Sequence, residues 1–86
     1  NSLYFSLFSD DSGFDGLDIV RQILAQAANH LNENGVLICE VGNSQIHLTA
    51  AFPAVPFQWL EFERGGHGVF RLTKAQLESH QQDFEQ

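Results

Sequence analysis

Eighty-six residues with 43 % hydrophobic side chains, eight Phe and only 17 % charged groups make one small folding domain and exclude intrinsic disorder. Eleven Asp and Glu against four Lys and Arg leave a formal net charge of -7, which repels phosphate backbones and anionic lipid and excludes nucleic acid and membrane surfaces as direct partners. No apolar run approaches the ~20 residues that span a bilayer, so a soluble, cytoplasmic chain is expected. With no Met and an initial Asn, the chain reads as cut from something longer or as lacking its native start.

In chain order, residues 1–16 (NSLYFSLFSDDSGFDG) mix aromatic side chains with a turn-rich cluster and read as an irregular lead-in or an edge strand. From Leu17 the apolar positions Leu17, Ile19, Val20, Ile23, Leu24, Ala27, Ala28 and Leu31 recur at the three-and-four spacing of one buried helix stripe. Asp15 is its predicted N-cap, Asp18 adds favourable charge near its start, and Gly35 supplies the freedom its far end requires. Residues 36–41 (VLICEV) are apolar at nearly every position, the pattern of a strand covered on both faces in the middle of a layered sheet.

After that strand Gly42 turns the chain, and Asn43 or Ser44 caps a short helix that Pro53 and Pro56 terminate. Residues 57–62 alternate as a further strand, and 69–72 return antiparallel to it. Thr73 followed three residues later by Gln76 matches a capping box, opening a polar helix anchored by Leu77 and Phe84.

Candidate chemistry is sparse. The turn RGGHG, residues 64–68, leads into a strand and not a helix, so it offers no helix N-terminus for an anion and reads as a hairpin connection with His67 exposed at its tip. His30, His47, His67 and His80 sit singly, without the two-His helical spacing of a metal site, and the lone Cys39 lies inside an apolar run as a structural thiol. Glu40 and Asn43 fall at the carboxyl end of a buried strand, where open α/β sheets place their ligands. Glu40, Asn43 and His67 are therefore the substrate-facing candidates, with a purely structural pairing of Glu40 as the alternative. No glycine-rich loop follows a strand and opens a helix, so the chain alone is expected to bind no nucleotide-type cofactor and to hold no catalytic, cofactor-binding or metal residue.

The segments VLICEVGNS and WLEF..GG.GVF.LTK.QL, within a match running from about Ser12 nearly to the end, closely resemble the C-terminal part of the PrmB-type, HemK-like protein-glutamine N5-methyltransferases that modify a large-subunit ribosomal protein. The resemblance implies a partial Rossmann-like class I methyltransferase fold: a three-strand mixed sheet, two parallel strands plus one antiparallel between them, with flanking helices. It also implies S-adenosylmethionine as cofactor and a ribosomal protein as substrate for the full-length family. The family's cofactor motif and its Asn-Pro-Pro-Tyr substrate motif are unmatched here; Asn1-Ser2-Leu3-Tyr4 lacks both prolines. Residues 17–86 are thus expected to be the C-terminal portion of such a domain, inactive alone. The alternative is a non-catalytic homodimeric module assembling through the exposed edge of strand 36–41 or adjacent helices.

Overall fold

The computed structural model describes residues 1–6, 17–62 and 68–85. Its elements are β1 (Ser2–Ser6), α1 (Leu17–Gln26), β2 (Val36–Glu40), α2 (Gln45–Ala51), β3 (Gln58–Trp59), β4 (Val69–Thr73), α3 (Lys74–Ser79) and α4 (Gln81–Phe84). Short 3-10 turns extend α1 through Ala27–His30 and precede α2 at Gly42–Ser44. The strands form one mixed sheet of four, in the order β1-β2-β4-β3. β1 runs parallel to β2, while β4 lies antiparallel between β2 and β3, as the family resemblance implies for the final strand.

Strand alternation sorts the side chains into two faces. The register aligns Leu3 with Leu37 and Leu72, and Phe5 with Cys39, Phe70 and Trp59. This face carries the core: Leu37, Cys39, Phe70 and Leu72 are fully buried against Val20 and Leu24 of α1, Leu48 of α2, Leu77 of α3 and Phe84 of α4. Non-polar burial at about 25 cal/mol per Å² is the main stabilising term, and aromatic contacts sharpen it. Phe70 meets the rings of Phe57 at 4.9 Å and Trp59 at 5.5 Å, and Phe52 meets Phe84 edge-on at 5.5 Å. The last helices are fixed by local polar contacts. Thr73 Oγ1 accepts from the Gln76 N–H at 3.1 Å while Gln76 Oε1 accepts from the Thr73 N–H at 2.9 Å, which completes the expected capping box.

Several expectations are corrected. The sheet has four strands and not three, because Ser2–Ser6 pairs with β2. Asn1 anchors this pairing: its C=O accepts from the Val36 N–H at 3.2 Å, its Oδ1 accepts from the Asn32 N–H at 2.8 Å, and its Nδ2 donates to the His30 C=O at 3.1 Å. Strand 36–41 therefore has partners on both sides, and the exposed edge expected there for a homodimer does not exist. Nor is that strand buried on both faces: Val36, Ile38 and Glu40 stay half-buried, because the buried residues of the described α-helices all belong to the single cluster on the other face.

Local differences have local causes. The stripe beginning at Leu17 tightens into a 3-10 turn at Ala27, whose small side chain lets the chain pack closely against α3. Gly35 has no positive φ; glycine is required because a Cβ would lie 2.8 Å from Asn1 Oδ1 and 2.9 Å from Asn1 O. Ser44 occupies the N-cap position of α2 without a side-chain capping bond, since the preceding 3-10 turn already orders the chain. β3 is only two residues long, and the polar helix predicted to reach Phe84 breaks at His80, whose Nδ1 lies 3.0 Å from Asp83 Oδ2. The predicted Asp15 cap and most of the turn at 64–68 lie outside the described residues.

Candidate functional site

The carboxyl end of β2 is shaped by two glycines. Gly42 has φ 57° and Gly68 has φ 75°, backbone conformations that L side chains rarely adopt. The Gly68 C=O accepts from the N–H groups of Val41 at 2.6 Å and Gly42 at 3.2 Å, which locks the exit of β2 onto the entry of β4. A Cβ at Gly68 would fall 2.6 Å from Gly42 N and 2.7 Å from Gly42 Cα, so the two backbones meet with no room for a side chain.

Glu40 stands at the last position of β2, on the open sheet face, and the parallel register sets Ser6 beside it. Ser6 Oγ donates to Glu40 Oε1 at 2.9 Å, and the Tyr4 hydroxyl approaches the same oxygen at 3.5 Å. Asn43 follows in the 3-10 turn and is exposed. Glu40 and Asn43 are thus brought to one end of the sheet, while His67 lies outside the described residues. Ser6 and Tyr4 were not legible as site residues, because they meet Glu40 across 34 and 36 positions of chain and only the strand register joins them. The arrangement supplies a hydroxyl-supported carboxylate, an anchor for a hydrogen-bond donor. Among the described residues no group of three or more His, Cys, Asp or Glu side chains is placed to hold a metal ion.

Cys39 points the other way, into the core, fully buried. Burial, and secondly the negative charge of Glu40, push its thiol up from 9.0 to about 12. A raised pKa in the folded state means that folding favours the protonated thiol. This contribution to stability is complete below pH 9 and is lost as pH rises from 9 towards 12, where only the unfolded chain ionises readily. Native protein is therefore expected to resist iodoacetamide at pH 8 while urea-unfolded protein labels fully, a contrast that mass spectrometry measures.

An apolar cleft of about 420 Å³ between β1 and α1 is lined by Leu3, Phe5, Ile19, Ile23 and Ala27 with Gln22, Gln26 and His30. The close-packed pair Gly42 and Gly68 fills with backbone the space that a phosphate- or cofactor-cradling glycine would leave open. No described helix is long and apolar enough to cross a membrane.

A parallel strand pair, an antiparallel strand inserted between two parallel neighbours, and helices packed on the sheet define an α/β arrangement compatible with part of a methyltransferase fold. The chain matches the C-terminal part of ribosomal protein uL3 glutamine methyltransferases. It is 46 % identical over 74 residues to the one from Francisella tularensis subsp. tularensis, covering 86 % of this chain and 24 % of that protein. It is 48 % identical over 69 residues to the one from Xanthomonas campestris pv. campestris, covering 80 % of this chain and 22 % of that protein. The chain thus spans about a quarter of the length of these curated relatives. No protein-family model matches it, and no solved structure matches it.

Proposed function

We propose that this chain is the C-terminal segment of an S-adenosylmethionine-dependent protein-glutamine methyltransferase that acts on ribosomal protein uL3 in the cytoplasm, and that the segment by itself is inactive. The observation that carries this reading is the 46 % identity to such a methyltransferase, confined to 24 % of that protein's length. Its role in a whole enzyme is structural closure. β4, inserted between β2 and β3 and locked at Gly68 to Gly42, rigidifies the sheet end where Glu40 and Asn43 could face a substrate amide. Cofactor chemistry belongs to residues elsewhere in the enzyme, in the larger part of the relatives' length that this chain does not match. Titration calorimetry of the 86-residue chain with S-adenosylmethionine is expected to show no binding heat. Micromolar affinity would overturn the reading.

A second reading is favoured by one observation. Among the described strands β1 lies at the edge of the sheet, and its five residues include no charged residue and no proline, the features that otherwise guard such edges. In this reading the chain is a non-catalytic module that assembles as a homodimer.

A further inference from the structure

β1 and β2 end side by side. Their parallel register aligns Ser6 with Glu40, the last residue of each strand, at the end of the sheet where open α/β proteins hold their ligands. On its other side Glu40 pairs with Val69 of β4, and the Gly68 C=O accepts from the N–H groups of the next two residues, Val41 and Gly42. The backbone that carries the Glu40 side chain is thus tied on both flanks. A group mounted on strands in this way is held to a narrower range of positions than one on a loop.

The contacts of the carboxylate define what it suits. Ser6 Oγ donates to Oε1 at 2.9 Å, and the Tyr4 hydroxyl stands 3.5 Å from the same oxygen, so both hydroxyls address Oε1 and neither takes Oε2. An arginine guanidinium binds a carboxylate best through both oxygens at once. With Oε1 engaged, Glu40 suits a donor that needs a single acceptor, and in its ionised form it only accepts. A side-chain amide N–H is such a donor.

We infer, on the reading that this chain belongs to a glutamine methyltransferase, that Glu40 Oε2 accepts an N–H of the substrate glutamine's side-chain amide and so sets a preference for glutamine over glutamate. A primary amide carries two N–H groups, and its N-methylated product keeps one, so the same bond serves substrate and product. Glutamate has nearly the same shape but, when ionised, lacks both donors and sets a second negative charge against Glu40. A site built to hydrogen-bond a substrate N–H rejects the analogue that lacks it, because its own polar group is then left unpaired. Asn43, at the same end of the sheet, has an amide that both donates and accepts, and such a group does not separate the two side chains.

The test uses a chimera in which residues 17–86 of this chain replace the matching C-terminal quarter of the Francisella tularensis relative. Binding of uL3 is measured by calorimetry with no methyl donor present, and circular dichroism confirms that each variant is folded. Glu40→Ala is expected to weaken binding of uL3 roughly tenfold or more, the loss typical of a hydrogen bond to a charged group. It is expected to leave unchanged the binding of uL3 whose target glutamine is replaced by alanine, since the two changes remove the same contact. Glu40→Gln, which keeps the shape and removes the charge, is expected to bind uL3 carrying glutamate at the target position at least tenfold more tightly than the unsubstituted chimera does. Should Glu40→Ala fail to fold, Glu40→Gln decides. Equal weakening of both forms of uL3 by Glu40→Ala, or no weakening of either, overturns the assignment and leaves the methyltransferase reading standing. An unsubstituted chimera that does not fold or does not bind uL3 overturns both.

Discussion

Gly68→Ala is expected to destabilise the domain by about 3 kcal/mol or more. The cost has two sources. At φ 75° an alanine adopts a backbone conformation that its Cβ disfavours, and that Cβ would fall 2.6 Å from Gly42 N, a backbone atom with no rotamer by which to retreat. Relief requires β4 to move away from Gly42, which breaks the paired acceptance of the Val41 and Gly42 N–H groups by the Gly68 C=O. In a domain of this size each kcal/mol lowers the melting temperature by roughly 4–8 °C, so a fall of about 12 °C or more should appear by circular dichroism. A loss below about 1 kcal/mol would mean that the two glycines do not meet as described.

Phe70→Ala is expected to cost about 3–5 kcal/mol, a large part of the roughly 5–15 kcal/mol that holds a domain together. Phe70 is fully buried at the second position of β4, and its ring is gripped by Phe57 and Trp59. Truncation loses the transfer free energy of the ring and leaves a cavity that β2 and β3, tied to β4 on either side, cannot collapse to fill. Trp59 is the single tryptophan, so its fluorescence reports the change directly and should shift to the red as water enters. Phe70→Leu keeps most of the volume and is expected to cost less than the alanine variant, about 2 kcal/mol. Equal losses for both would show that the ring contacts, and not the cavity, carry the stability.

What the sequence disclosed follows the range of the interactions. The Thr73 and Gln76 capping box is written within four positions, and the structure forms it bond for bond. The uninterrupted apolar run beginning at Val36 announced an inner strand, and β2 is one, with a partner on each side. β1 was not distinguishable from an irregular lead-in, because SLYFS acquires its role only through pairing with residues 34 positions away. The same distance concealed Tyr4 and Ser6 from any reading of the site, whereas Glu40 and Asn43 were visible as polar residues closing an apolar strand. Among the described residues β3 pairs with β4 alone, and beyond Trp59 that contact continues only through the bond from the Leu60 N–H to the Val69 C=O at 2.8 Å, so the alternating pattern outruns the paired strand. A strand buried on one face also reads much like one buried on both when its second face carries Val36 and Ile38.

The central claim is that this chain is the closing part of a uL3 glutamine methyltransferase. A chimera tests it: the matching C-terminal quarter of the Francisella tularensis relative is exchanged for residues 17–86 of this chain, and methylation of uL3 by S-adenosylmethionine is followed by mass spectrometry. With 46 % identity over the 74 matched residues, the chimera is predicted to fold and to add one methyl group to the glutamine that the intact relative modifies. A chimera that folds and binds S-adenosylmethionine yet leaves uL3 unmodified would contradict the account.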